Sequence, residues 1–257
     1  EEFGCDIVHS HYAIPHAVAA LMARDVLAER GIHIKLACTL HGTDITLVGQ
    51  EASFYAITKF SIERSDRVTA VSEFLRDETY RAFGCVSCDL DVIPNFINLL
   101  EYRPEAAASR ETLAPGDERL LLHVSNFREV KRVKDVVRIF ARIRKAMPAT
   151  LLMVGDGPDR GDAEHEAREL GVAADVRFLG RLDTVAPLLA AADLFLLPSQ
   201  SESFGLAALE AMACGTPVIA SAGGSLPEVC GDGAEIVPEY DADAWAERIA
   251  AVLGDAS

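Results

Sequence analysis

Glu202 and Glu210 stand eight positions apart around the step Phe204-Gly205, at what reads as the start of a helix. An α-helix turns every ~3.6 residues, so positions seven or eight apart share roughly one face. With a helix beginning near Phe204, Glu210 falls on its second turn and Glu202 just ahead of its first. The uncommitted N–H groups of a first turn point into the space both acids border, which suits a phosphate or a sugar hydroxyl. Two carboxylates repel a phosphate, so hydroxyls, which donate hydrogen bonds to carboxylates, are their better partners. Standing alone, such a pair is better explained as a capped helix with one solvated glutamate. Its surroundings decide.

The surroundings include a basic loop, Ser125-Asn126-Phe127-Arg128-Glu129-Val130-Lys131-Arg132-Val133-Lys134, with four cations in seven residues of a chain whose formal net charge is −16. Cations disfavour a helix N-terminus, so their grouping at a strand end and helix start points to a bound anion, with phosphate the expectation. Two glycine loops follow other strands. Gly155-Asp156-Gly157-Pro158-Asp159 allows a tight turn and close backbone approach, and Leu179-Gly180-Arg181-Leu182-Asp183 can present backbone groups to a flat base. Nearer the start, His9-Ser10-His11-Tyr12 and Leu40-His41-Gly42-Thr43-Asp44 are polar clusters directly after apolar strands. Of these, His41, held between a strand end and Gly42, is the best candidate for function. The spacing of His9 and His11 raises a metal, but no acid or cysteine ligand lies near them in sequence. The triplets Asp89-Leu90-Asp91 and Asp241-Ala242-Asp243 read as surface acids, so no metal is expected.

Composition bounds the rest. At 257 residues, half hydrophobic and a quarter charged, the chain has the make-up of a globular protein with one large or two ordinary domains. The acidic balance argues against nucleic acid as a partner. No run approaches the ~20 apolar residues of a membrane span, and Glu1-Glu2-Phe3-Gly4 offers no basic leader. The six cysteines sit mostly in apolar segments, as reduced thiols of a cytoplasmic protein would, and the lone Cys85-Val86-Ser87-Cys88 lacks a second ligand pair for zinc. A homo-oligomer is left open.

The elements that must position these residues alternate strand and helix. Short, apolar strand candidates are 6–10, 34–40, 67–71, 91–93, 120–125, 150–154, 176–178, 194–197, 217–220 and 234–237. Helical stretches are expected at 16–29, 53–65, 73–83, 135–146, 162–170, 184–192, 206–213 and 242–253. The pattern predicts an α/β protein with parallel sheets covered on both faces. A break in pattern marks a linker over 101–118 between a first unit, 1–100, and a second, 119–257. The first carries about four strands and no Gly-rich turn ahead of residue 9, so it reads as a partial unit that lacks its start. Two such sheets facing one another make the cleft between them the expected site.

Residues 123–230 resemble the donor half of retaining glycosyltransferases of the GT-B fold, of family 4 type. The likeness rests on the basic loop to Lys131, Val154-Gly155-Asp156-Gly157-Pro158, Phe178-Leu179-Gly180, Glu202-Ser203-Phe204-Gly205 through Glu210 to Val218, and Gly223-Gly224-Ser225-Leu226-Pro227-Glu228. More narrowly, the stretches 9–16, 39–46 and 124–133 resemble members that move GlcNAc from UDP-GlcNAc to L-malate at the opening of bacillithiol biosynthesis. The resemblance implies two Rossmann-like domains facing a cleft, the N-terminal one incomplete here. It implies that Glu210 holds the ribose hydroxyls of UDP, and that Glu202, with the Phe204, Gly205 and Leu206 backbone, holds the sugar. Lys131 would neutralise the diphosphate. Arg128 would stand in for the family's usual arginine, whose place falls near Asn126, with Ser125 and Gly155 beside the phosphates. Gly180, Arg181 and Leu182 would line the uracil, and His41 would meet the donor sugar near its 6-hydroxyl. Tyr12 and Thr43 would face a small anionic acceptor, with Lys59 on its carboxylate. No cofactor is implied, the two cations substituting for a metal.

Three alternatives stay open at this level. One is the same transfer to another acceptor, such as an inositol phosphate or a lipid-linked sugar. Another is a glycosidase using Glu202 and Glu210 as acid and base, against which the basic loop counts, since a neutral glycan needs none. The last is a nucleotide-sugar-binding fragment that binds UDP and transfers poorly.

Overall fold

A computed structural model describes residues 4–84, 89–238 and 240–255 as two compact units that divide after Asn95. The first unit runs β1 (Ile7–His11), α1 (Val18–Ala28), β2 (Lys35–Leu40), α2 (Ala52–Arg64), β3 (Arg67–Ala70), α3 (Glu73–Phe83) and β4 (Leu90–Val92). Its strands form one parallel sheet in the order β1-β2-β3-β4. The helix expected from residue 16 begins two residues later, because Pro15 lies in a separate turn, Ala13–Ala17, in which Ile14 is extended. Cys85 and Cys88 lie outside the described residues.

The second unit runs α4 (Arg110–Leu113), β5 (Arg119–Val124), α5 (Val133–Ala146), β6 (Ala149–Val154), α6 (Arg160–Glu169), β7 (Val176–Gly180), α7 (Ala186–Ala191), β8 (Leu194–Leu197), α8 (Leu206–Ala213), β9 (Val218–Ser221), α9 (Leu226–Cys230), β10 (Glu235–Val237) and α10 (Ala242–Asp255). Its six parallel strands lie in the order β7-β6-β5-β8-β9-β10. This is the doubly wound order, in which the chain starts mid-sheet, winds to one edge, then returns to fill the other. Successive strand residues face opposite sides, and the cores divide accordingly. Leu121, Leu151, Met153, Leu194 and Leu196 pack against α5, α6 and α10, where Trp245 is fully buried. Leu120, Leu122, Leu152, Phe195 and Leu197 pack against α7, α8 and α9.

The 101–118 stretch, expected as a linker, is packed onto this second unit. Ala108 donates its N–H to the Pro187 carbonyl, Arg110 pairs with Asp193 at 2.6 Å, and Tyr102, Leu113 and Ala114 join the core under α7 and α8. A stretch with no strand or long-helix pattern reads as loose in sequence. Here the contacts are made by short turns whose partners are far off along the chain.

Candidate functional site

In a doubly wound sheet a ligand sits beyond the carboxyl ends of the strands, where the winding reverses. Here the reversal lies between β5 and β8, and the two loops leaving those strands are the basic loop and the Glu202 segment. They are tied together. The Gln200 N–H donates to the Val130 carbonyl at 2.7 Å, and the Lys131 ammonium meets a Glu202 carboxylate oxygen at 2.5 Å, both side chains largely enclosed. The expected phosphate-binding cation and the expected sugar-binding acid thus already touch across the switch point.

Glycines set this geometry by closeness of backbone. A Cβ on Gly155, which sits at φ +123, would overlap the Ser125 carbonyl, and one on Gly157 would overlap that of Asn126. The Gly155 N–H donates to Gly180, and that of Asp159 to Phe127. The loop after β6 is therefore a buttress under the basic loop. On the other side, Cβ atoms on Gly223 and Gly224 would meet the backbone of Ser199, Gln200 and Glu202, and the Glu202 carbonyl accepts both the N–H and the hydroxyl of Ser225. Gly223 and Gly224 hold Glu202 in place.

Helix α8 begins at Leu206, two residues past Phe204, with Gly205 in the left-handed region at φ 89 as its cap. Ala208 and Leu209 both turn back to the Gly205 carbonyl, leaving the Leu206 and Ala207 N–H groups uncommitted among the described residues. Glu210 lies on the second turn. Burial pushes its carboxyl above the ordinary range, while a hydrogen bond from the Tyr102 hydroxyl pulls it back. The same surroundings drive the Tyr102 phenol up to about 12. Nothing in the sequence signalled Tyr102, which lies in the stretch expected as a linker.

The four cations of the basic loop do not act as one cluster. Arg132 pairs with Asp135 at 2.6 Å and lies 4.0 Å from the Tyr240 ring, Lys134 reaches Asp162, and Lys131 takes Glu202. Arg128, exposed at the loop's tip, has no ion-pair partner among the described residues. Asn126, Arg181 and Leu182 lie in the same strand-end loops, the last two exposed, and Phe204 is buried. The acids of the second triplet are engaged, Asp241 accepting the Ala244 N–H and Asp243 pairing with Arg142.

In the first unit, β1 and the turn after β2 bring together aromatic and imidazole rings. His11 Nδ1 and His41 Nε2 lie 2.8 Å apart, and the Tyr12 ring is 4.9 Å from that of His41. His9 stacks on His11 and bonds Thr39 at 2.8 Å. Tyr12 sits at φ 73, a region costly to a side chain with a Cβ, and is held there by its N–H to Thr39 and its carbonyl from Ala17. Buried Asp44 fastens both turns, accepting N–H groups from Ala13, His41 and Gly42. The His41 imidazole is pushed to lower pKa, first by desolvation and then by its neighbour His11, with Asp44 opposing. Thr43 is exposed at the start of the next turn. Lys59, on α2, pairs with Glu63 one turn on at 3.7 Å, so its ammonium is already shared with a carboxylate of its own helix. No described trio of His, Cys, Asp or Glu is arranged to hold a metal, the imidazoles at 9, 11 and 41 being bonded or stacked among themselves. No helix among the described residues is long and apolar enough to cross a membrane.

Comparison with known proteins follows the two units. Residues 105–257 match the model for glycosyl transferases group 1, and residues 1–100 that for glycosyltransferase family 4. N-acetyl-alpha-D-glucosaminyl L-malate synthase of Bacillus anthracis is 46% identical over 87% of this chain and 58% of its own length. D-inositol 3-phosphate glycosyltransferase of Nocardia farcinica is 34% identical over 97% of this chain and 59% of its own. The chain thus spans a little under three-fifths of these curated relatives. Among solved structures, sucrose-phosphate synthase from Thermosynechococcus elongatus superposes with TM-score 0.80 at 27% identity, over 99% of this chain and 66% of that one. Anabaena HepE, in complex with UDP and glucose, gives 0.82 at 22% identity, over 98% and 69%, a likeness of fold. With two parallel-sheet units, each matched by its own family model, the chain belongs to the GT-B glycosyltransferases, family 4 followed by group 1.

Proposed function

We propose that the protein transfers GlcNAc from UDP-GlcNAc to L-malate with retention of the α configuration. The observation that carries the reading is the Lys131–Glu202 contact across the switch point of the second sheet, beside the free N–H groups that open α8. A nucleoside diphosphate-sugar has the complementary features, an anionic diphosphate for Lys131 and Arg128 and hydroxyls for Glu202 and Glu210. HepE, of the same fold, was crystallised with UDP and glucose. The 46% identity to an N-acetyl-alpha-D-glucosaminyl L-malate synthase favours malate over the inositol phosphate named for the relative at 34%.

In this reading the leaving diphosphate takes the malate hydroxyl proton on the face it departs from, and the new bond forms on that same face. The protein stabilises charge on the departing phosphate through Lys131 and Arg128, with no metal, and holds the oxocarbenium-like sugar by its hydroxyls through Glu202 and the 204–206 backbone. Ser125, Asn126 and Gly155 frame the phosphates, and Gly180, Arg181 and Leu182 the uracil. His41 meets the sugar, and Tyr12, Thr43 and Lys59 the acceptor in the cytoplasm. Lys59 gives a carboxylate a point charge rather than a bidentate grip, and must be shared with Glu63 to do so. The test is incubation with UDP-GlcNAc and L-malate, reading UDP release and the anomeric proton of the product. An α-linked GlcNAc-malate, formed slowly by this span alone, is the expected product. UDP release with no dependence on malate contradicts the reading and favours hydrolysis.

A further inference from the structure

His123 is a fully buried titratable residue that the proposed reaction does not use, and its place in the fold is specific. It lies on β5, one residue beyond the last backbone pairing with β8, which joins Leu121 to Leu194 and Leu122 to Phe195. Continuing that register would set His123 opposite Leu196. There the backbone ladder gives way, and the His123 side chain takes over, Nδ1 lying 2.8 Å from the Leu196 carbonyl oxygen. A carbonyl only accepts, so the hydrogen is on Nδ1 and Nε2 is left as an acceptor. Nε2 lies 2.8 Å from the Ser125 hydroxyl, which therefore donates to it. With its donor so used, the same hydroxyl oxygen accepts the Phe127 N–H at 3.3 Å. Phe127 sits at φ 40, outside the regions a non-glycine residue adopts freely, and its carbonyl receives the Asp159 N–H from the glycine buttress.

We propose that His123 is a positioning residue, which ties the loop after β5 to strand β8 at the switch point and so sets the spacing of Lys131 from Glu202. This rests on the donor-binding reading above, and sharpens it by assigning the alignment of the two grips to one imidazole. A strand position among Leu120, Leu121 and Leu122 calls for an apolar residue. An apolar residue there would leave the Leu196 carbonyl and the Ser125 hydroxyl without these partners, on either side of the seam where the ligand is to sit. Desolvation moves the imidazole down to about 4, so it stays neutral and keeps its tautomer through the physiological range.

Two substitutions separate its two bonds. In His123→Gln the side-chain amide reaches about as far as Nε2 and can still receive the Ser125 hydroxyl. In His123→Asn it reaches only as far as Nδ1, keeps Leu196 and abandons Ser125. The chain and both variants are compared by amide hydrogen exchange at Phe127, by UDP calorimetry and by thermal unfolding. Exchange at Phe127 is expected to quicken in His123→Asn and to return most of the way in His123→Gln. The UDP dissociation constant should rise about tenfold in His123→Asn, the size of one lost hydrogen bond. Phe127 exchange unchanged in a folded His123→Asn variant overturns the inference. So does a UDP dissociation constant unchanged in that variant. If the unmodified chain binds no UDP, the donor-binding reading fails, while the exchange experiment still decides whether His123 holds the loop. Should His123→Asn not fold, Ser125→Ala alone must quicken Phe127 exchange, and its failure to do so overturns the inference.

Discussion

Breaking the Lys131–Glu202 pair one side at a time should give opposite results for UDP. At 2.5 Å, with the two side chains 19% and 11% exposed, the pair is closer to a buried than to a surface salt bridge. At an effective dielectric of about 20 the bare attraction is about 6–7 kcal/mol, most of which desolvation takes back. Removing one partner of a buried pair costs about 3–5 kcal/mol, and discounting for residual exposure leaves about 2–3 kcal/mol for Lys131→Met, which strands a carboxylate. The coupling energy of a cycle with Glu202→Gln should be about 2 kcal/mol, read from denaturant midpoints. For ligand the symmetry ends. Lys131→Met removes a charge-assisted bond to phosphate, so UDP affinity should fall about 10- to 100-fold. Glu202→Gln frees the ammonium and removes a negative charge beside the diphosphate, so UDP should bind as well as or better than in the parent, while the sugar loses an acceptor and transfer falls. Calorimetry with UDP, with transfer measured alongside, checks both halves. Glu202→Gln weakening UDP as much as Lys131→Met would rule out this division of roles, as would a coupling energy near zero.

The other expectations follow from burial and backbone geometry. His123 binds a proton at about 4 when folded and at the ordinary 6.5 when unfolded. The unfolded chain takes up that proton first, so the stability is present above pH 6.5 and is lost as pH falls towards 4, about 3 kcal/mol in all, on urea unfolding across that window. Glu210 carries the opposite sign. Its raised pKa means that the unfolded chain gives up the proton first, so the folded state is penalised above the ordinary carboxylate range. Glu210→Gln should therefore raise the thermal midpoint at neutral pH while weakening UDP. Gly155→Ala combines φ +123 with an overlap on the Ser125 carbonyl and should cost at least ~2 kcal/mol, lowering the melting temperature and loosening UDP together. Lys59→Ala should raise the KM for malate and leave the UDP dissociation constant unchanged. A shift in UDP binding would remove Lys59 from the acceptor side.

Strand and helix alternation was legible because buried parallel strands are short apolar runs and the helices between them carry their own period. All ten expected strands are present within one or two residues at most ends, and α3 and α8 have the expected bounds. The loops at strand ends were legible for a related reason. A buried strand that runs out into polar and glycine residues has reached the surface, where a rigid sheet can present those residues to a ligand. The roles inside those loops were less visible. The glycines after β6 read as a tight turn open to close backbone approach, with nothing to say what approaches; their missing Cβ atoms make room for the backbone of Ser125 and Asn126, a contact between loops about 30 residues apart. Charge alone grouped Arg132 and Lys134 with Lys131, but Asp135, Asp162 and Tyr240 claim the first two through the fold. Tyr102 and His123 were missed because a tyrosine in an irregular stretch and a histidine in an apolar strand announce nothing until their partners, Glu210 and Leu196, are placed.

In the proposed function the switch point of the second sheet grips a uridine diphosphate-sugar without a metal. Titration of UDP into the chain in the presence of EDTA, repeated with Glu210→Ala, tests it most directly. Binding should be saturable, survive the chelator and weaken at least about tenfold in Glu210→Ala, a hydrogen-bonded hydroxyl's worth. Absence of saturable heat, or equal affinity in the two proteins, would contradict it.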